Sequence, residues 1–238
     1  MKHAGSTQEE PQSINVVERA LKLFDAFEMR EPLLSLSELS RRSSLPKTST
    51  LRLARTLAKA GFLVQDANGG WRLGPSSARL GARYQMALDS SQSVEPILCQ
   101  LSKNTKETAS FFVWEGDARH CIARVHGENE THHKLGLGEP IPLTRGAAGH
   151  VILAYTGQHG EPYDTIRKQG YCITVDECLS PFSSIAAPIF GHRWSVLGSI
   201  SIAGPIERFT EEKIKMDTEL VLAAARHLSS KLSLSRNI

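Results

Sequence analysis

The stretch Ser35-Leu36-Ser37-Glu38-Leu39-Ser40-Arg41-Arg42-Ser43-Ser44-Leu45-Pro46-Lys47-Thr48-Ser49-Thr50-Leu51-Arg52-Leu53-Ala54-Arg55-Thr56-Leu57-Ala58-Lys59-Ala60-Gly61 holds two helix starts separated by a turn. Ser35 with Glu38 three residues later is a capping pair, and Leu36, Leu39 and Leu45 frame a short helix to about Arg42. A tight turn at Ser43-Ser44-Leu45 follows. Pro46 suits the first turn of the next helix, where its missing N–H is no loss, and Leu53, Ala54, Leu57 and Ala58 give that helix a buried seam. Gly61 stops it. The face opposite the seam carries Thr48, Arg52, Arg55 and Lys59 at offsets of 4, 3 and 4, which forms one exposed stripe of hydrogen-bonding and cationic groups.

On the N-terminal side, residues 1–13 are polar and aperiodic and read as a disordered tail. Asn15 with Glu18 forms another capping pair, and Val17, Ala20, Leu21, Phe24 and Phe27 fall on one helical face, so a first helix runs from there and ends before Pro32. On the C-terminal side the period changes. Phe62 to Gln65 and Trp71 to Leu73 read as short strands joined by the two-residue hairpin signal Asn68-Gly69. Three helices and a hairpin make a winged helix-turn-helix over residues 14–74, whose third helix enters the DNA major groove by its N-terminal end. On that reading Thr48, Ser49 and Arg52 contact base edges, while Lys47, Arg55 and wing residue Arg72 contact phosphates. Charge agrees. Between Ser40 and Arg83 nine Lys/Arg face one acid, a local +8, whereas residues 93–238 carry 15 Lys/Arg and 16 Asp/Glu.

Gly74-Pro75 ends the wing, and Ser76 caps a fourth helix to about Leu88 with an apolar stripe of Leu80, Tyr84, Ala87 and Leu88. Residues 75–92 read as a linker helix that packs on a second copy; an ordinary connecting helix is the plainer alternative. A two-fold dimer places two reading heads about one DNA turn, ~34 Å, or a multiple of it apart, on a palindromic operator. After the polar run Asp89 to Ser93, residues 93–238 alternate helix and strand signals. Helices are expected at 94–106, 146–155, 163–168 and 210–233, and strands at 109–115, 120–126, 183–190 and 195–203. The fold class is α+β, with a mixed α/β C-terminal domain that has its own core. Thr210 caps the last helix, with Lys213 where an acid is usual.

The 238 residues contain no run of about 18 apolar residues and no apolar leader, which points to a cytoplasmic protein with no membrane segment. The four cysteines lack zinc-knuckle spacing and read as reduced thiols. His120, His126, His132, His133, His150 and His159 invite an enzyme or metal reading, yet no His-Glu-x-x-His, phosphate loop or Gly-x-Ser-x-Gly accompanies them, so no catalytic residue, metal or cofactor is assigned. A pure protein-interaction module is the other rival. It predicts no salt-sensitive DNA affinity, against the +8 stretch.

Further residues carry a family resemblance. In the N-terminal part they are Leu36-Ser37-Glu38-Leu39, Leu45-Pro46-Lys47-Thr48-Ser49-Thr50-Leu51-Arg52-Leu53, Thr56-Leu57, Gly61-Phe62 and Trp71-Arg72-Leu73-Gly74. In the C-terminal part they are Pro142-Leu143, Gly149-His150-Val151-Ile152-Leu153-Ala154, Gly170-Tyr171, Ile185-Ala186-Ala187-Pro188-Ile189 and Ser199-Ile200-Ser201-Ile202-Ala203-Gly204-Pro205. Each string alone is weak; in this order they are specific, and from about Ile14 onward the chain resembles the IclR-type transcriptional regulators. The resemblance implies a winged helix, a linker helix and a GAF-like effector domain, assembled as a homodimer or dimer of dimers that represses or activates transcription in response to a small organic molecule, often a carboxylate or aromatic acid of a catabolic pathway. By matching motif positions it implies an effector wall of Ala147, Ala148, Thr174, Ser184, Ser201 and Ala203.

The residues are compatible with that wall. A helix start of small side chains exposes N–H groups and a positive dipole end to a carboxylate, the hydroxyls add hydrogen bonds, and Arg145 is placed to add charge. The plainer role of Gly146, Ala147, Ala148 and Gly149 is close helix–sheet packing. The low aromatic content of this wall leans toward a small aliphatic acid, with an aromatic ligand left open by Phe111, Phe112, Trp114, Phe182 and Trp194. Two departures from the pattern are His150, in place of a common lysine, and the turn Gly191-His192-Arg193-Trp194.

Overall fold

In the computed structural model residues 14–28, 31–87, 93–128, 136–178 and 181–234 are described. The chain divides into two compact units, residues 1–83 and 84–238. The anticipated tail, the end of the linker helix past Ala87 and the pair His132-His133 lie outside the described residues.

In the first unit, α1 (Asn15–Leu21), α2 (Leu36–Arg42) and α3 (Lys47–Lys59) precede a hairpin of β1 (Leu63–Gln65) and β2 (Trp71–Leu73), and α4 (Pro75–Ala87) leads out of it. Ser35 caps α2, its Oγ accepting from the Glu38 N–H at 3.1 Å. Pro46 sits one residue earlier than anticipated, as the N-cap of α3, and Gly61 turns the chain with φ +76°. Leu23, Ala26, Leu34, Leu39, Ala54, Leu63 and Trp71 form the core. Leu34 exchanges two backbone hydrogen bonds with Trp71, which ties the segment before α2 to the wing.

Four local expectations need correction. Ser76 lies inside α4, which begins at Pro75, and its Oγ donates to the Ala60 carbonyl, so it does not cap that helix. Asn15 is the first residue of α1 rather than its cap, and no side chain caps that helix. The helix is short because the chain passes into turns after Leu21, where Leu23 and Ala26 take the buried positions. The wing turn is wider than a two-residue hairpin: Gln65 pairs with Trp71, and the Asp66 carboxylate accepts from the N–H groups of Asn68 and Gly70. That carboxylate does what a second positive-φ residue does in a tighter turn; of the Asn68-Gly69 pair only Gly69 has positive φ.

The second unit holds α5 (Glu95–Thr105), β3 (Thr108–Glu115), β4 (Ala118–Val125), β5 (Pro140–Pro142), α6 (Ala147–Tyr155), α7 (Tyr163–Gln169), β6 (Cys172–Val175), β7 (Phe182–Phe190), β8 (Val196–Pro205) and α8 (Glu211–Leu234). Strands β5-β4-β3-β8-β7-β6 form one antiparallel sheet in that order. Alternation along the strands sorts the side chains. Phe111, Ile185, Ala187, Ile189, Ile200 and Ile202 face α5 and α8, meeting Leu98, Leu101, Val221 and Leu228. The other face packs on α6 and α7 through Phe112, Cys121, Ala147, Val151 and Ile166. Each large side chain fully buried in these layers contributes about 1.5–3 kcal/mol.

The short strands β5 and β6 escaped the sequence reading, because three or four residues carry too little alternation to register. Thr210 caps α8 as expected, accepting from the Lys213 N–H at 3.3 Å. All four cysteines are free. Among the described residues no helix is long and apolar enough to cross a membrane, and no three His, Cys, Asp or Glu side chains cluster as a metal site.

Candidate functional site

On α3 the seam turns inward at Thr50 and Ala54, and Lys47, Thr48, Arg52, Arg55 and Lys59 stand exposed. Ser49 is half-buried, off that stripe, and with Arg52 it lines an apolar groove of about 750 Å³ between α1, α3 and α4. Arg72 is exposed on β2. None of Lys47, Arg52, Arg55, Lys59 and Arg72 forms an ion pair with a described residue. Arg41 and Arg42 differ. Both pair with Glu38, and Arg42 also reaches Glu28 and Glu31, so across α2, α3 and the wing the cations without an ion pair among the described residues are those of α3 and the wing.

In the second unit Ala147, Ala148, Thr174, Ser184, Ser201 and Ala203 line one cavity of about 50 Å³ between the sheet and the start of α6. The register explains the gathering: Ser110 lies opposite Ser201, Ala203 opposite Ser184, and Ser184 opposite Thr174, so their side chains share a face. The Thr174 and Ser184 hydroxyls stand 2.9 Å apart. Gly149 lets α6 come this close, since a Cβ there would collide with the Leu143 carbonyl and the Arg119 guanidinium.

The α6 N-terminus is not vacant. The Gly146 N–H donates to Glu177 Oε2 at 3.1 Å and the Ala147 N–H to Thr174 Oγ1 at 2.9 Å. His150 Nε2 meets the same Glu177 oxygen at 2.8 Å. Arg145 is exposed, donates to the Glu177 carbonyl and does not line the cavity.

Of the aromatics considered for the pocket, Phe112 and Phe182 line it; sequence reasoning missed Ser110, Arg119, Arg124 and Cys178. A bulge places both arginines there. Phe111 pairs with Ala123 but Phe112 with Cys121, so Ile122 is extra and Arg119, Cys121 and Arg124 fall on one face. Arg119 is buried, and burial pulls its guanidinium below its ordinary pKa, offset in part by Cys178. Trp194 is 82% exposed, its ring edge-on to Phe190.

Comparison with known proteins gives the family of both units. Residues 16–67 match the family model described as IclR helix-turn-helix domain, and residues 82–163 and 160–230 match Bacterial transcriptional regulator IclR C-terminal. The HTH-type transcriptional regulator KipR of Bacillus subtilis is 28% identical, covering 91% of this chain and 96% of its own. The HTH-type transcriptional repressor AllR of Escherichia coli K12 is 27% identical over 92% and 90%. An IclR-type regulator from Alicyclobacillus acidocaldarius shares the fold with a TM-score of 0.80 at 21% identity, covering 94% of this chain and 99% of its own. An IclR homologue from Microbacterium hydrocarbonoxydans, solved with 4-hydroxybenzoate, does so at 0.79 and 19% identity, over 91% and 98%. The chain belongs to the IclR family of bacterial transcriptional regulators, with an N-terminal helix-turn-helix domain and a C-terminal effector-binding domain.

Proposed function

We propose that the chain reads a palindromic operator as a two-fold dimer through α3 and its wing, and that a small organic acid in the cavity beside α6 shifts that binding. Residues 14–74 are the reading head, 75–92 the linker helix and 93–238 the effector domain, after a tail of 13 residues. The observation that carries the reading is the exposed stripe on α3, cationic and without ion-pair partners among the described residues, backed by a helix seam that leaves it no role in the core. Thr48, Ser49 and Arg52 take base edges; Lys47, Arg55 and Arg72 take phosphates. The second copy covers the part of the apolar groove away from Ser49 and Arg52, where Val17, Leu21, Leu73 and Leu80 are otherwise exposed to water.

Ala147, Ala148, Thr174, Ser184, Ser201 and Ala203 are the effector wall, a role supported by their shared cavity and by the 4-hydroxybenzoate held by the Microbacterium relative. The chain has no catalytic role on this reading and works in the cytoplasm. Operator selection from random duplexes, followed by gel-shift titration, tests the DNA half. Arg52→Ala is expected to weaken binding by about 1–3 kcal/mol and relax one position of the site, whereas Lys47→Ala weakens all sequences alike. Unchanged affinity and preference in both variants contradict the assignment.

A further inference from the structure

Arg119 is 2% exposed and lines the same cavity as Thr174, Ser184 and Ser201. Its Nη1 donates to the Pro142 carbonyl at 2.7 Å, its Nη2 to Cys178 Sγ at 3.5 Å, and its guanidinium lies 5.3 Å from the Phe112 ring centre. The Nε–H is buried without a hydrogen-bond partner. No described carboxylate pairs with it, and no Asp or Glu lines the cavity, although Arg124 does, donating to Ser110 Oγ at 3.1 Å. The nearby Glu177 carboxylate is already held by the Gly146 N–H and His150.

A guanidinium stays protonated inside a protein, and a buried charge lacking a counter-ion is costly. One donor is unspent and one charge uncompensated, in a cavity whose α6 N–H groups at Gly146 and Ala147 are already taken. Both deficits are met by an anion arriving from outside.

We propose that Arg119 reads the negative charge of the effector and selects a compact carboxylate over its uncharged analogues, which rests on the reading of this cavity as the effector site. The 50 Å³ available is on the order of one or two waters, each about 30 Å³ in the liquid, so the cavity favours the most compact acids and has to widen even for a three-carbon one. The Thr174–Ser184 pair and Ser201 supply hydroxyls for a second ligand oxygen.

The test is calorimetric titration and thermal melting of the full-length protein with pyruvate, lactate and benzoate and with the three corresponding amides, for wild type, Arg119→Lys and Arg119→Met. In wild type a short carboxylate is expected to bind at least about tenfold tighter than its amide, as a charge-assisted hydrogen bond supplies. Arg119→Met abolishes that preference and Arg119→Lys restores part of it. The ligand-free Tm of Arg119→Met is expected not to fall, because the variant removes an uncompensated charge. A role in packing alone predicts the reverse, a lower Tm with the preference intact, and overturns the proposal. Equal binding of acid and amide by wild type overturns it without help from any variant. If an amide then shifts DNA binding as an acid does, the effector cavity stands and the role of Arg119 falls; if none of the six binds or alters DNA binding, both fall.

Discussion

Glu107, just before β3, is wholly buried, and its carboxylate meets the Arg208 guanidinium in paired hydrogen bonds, with Lys213 Nζ 3.6 Å away. Gly204 makes room for it, since a Cβ there would collide with the carboxylate. Arg208→Ala leaves a buried charge with one distant partner and is expected to cost about 3 kcal/mol, read as a lower urea midpoint at neutral pH. Residues of this kind were invisible in the sequence, because Glu107 and Arg208 are 101 positions apart and nothing local pairs them. The caps were legible for the opposite reason: Ser35 with Glu38 and Thr210 with Lys213 act within one turn. Arg119 was missed on both counts. Its inward direction depends on a bulge at Ile122 and on which residues of β3 face β4, and Arg145, closer in sequence to the motif, drew the reading instead.

Among the elements, α2 and α3 were read nearly to the residue because a cap, a seam and a stop glycine agree there. Glu38 on α2 gives that agreement a pH signature. Hydrogen bonds from Arg41, then Arg42, hold its carboxyl at about 2, down from 4.5. The folded value is depressed, so its contribution is complete above about 4.5 and is lost as pH falls toward 2. Glu38→Gln is therefore expected to narrow its stability gap from wild type across that window, followed by urea midpoints at successive pH values; a gap independent of pH contradicts the pairing. For α1 the apolar face was legible, but its cover was not, because Val17 and Leu21 find too little of their own chain to pack on. Leu80→Glu on α4 places a charge in the same groove and is expected to shift the protein toward monomer in sedimentation velocity, with the helix content unchanged.

For the whole molecule, two units with separate cores carry separate chemistry, an exposed cationic helix face in one and a small cavity with hydroxyl and guanidinium groups in its wall in the other. Regulation requires that ligand and DNA bind two arrangements of the protein unequally, and the coupling is reciprocal: whatever factor the acid applies to DNA affinity, DNA applies to the acid. The family was legible because ordered short motifs survive across the chain, whereas the charge balance of the cavity depends on strand pairing that a single sequence does not display. The most direct measurement is fluorescence anisotropy of a selected operator duplex, titrated with protein at several salt concentrations, with and without the short acid that binds best. Affinity is predicted to fall with salt at a log–log slope of about −0.9 per phosphate contact and to move about tenfold, 1.4 kcal/mol, on adding the acid. Weak, salt-independent association that no acid alters would contradict a ligand-responsive DNA-binding regulator.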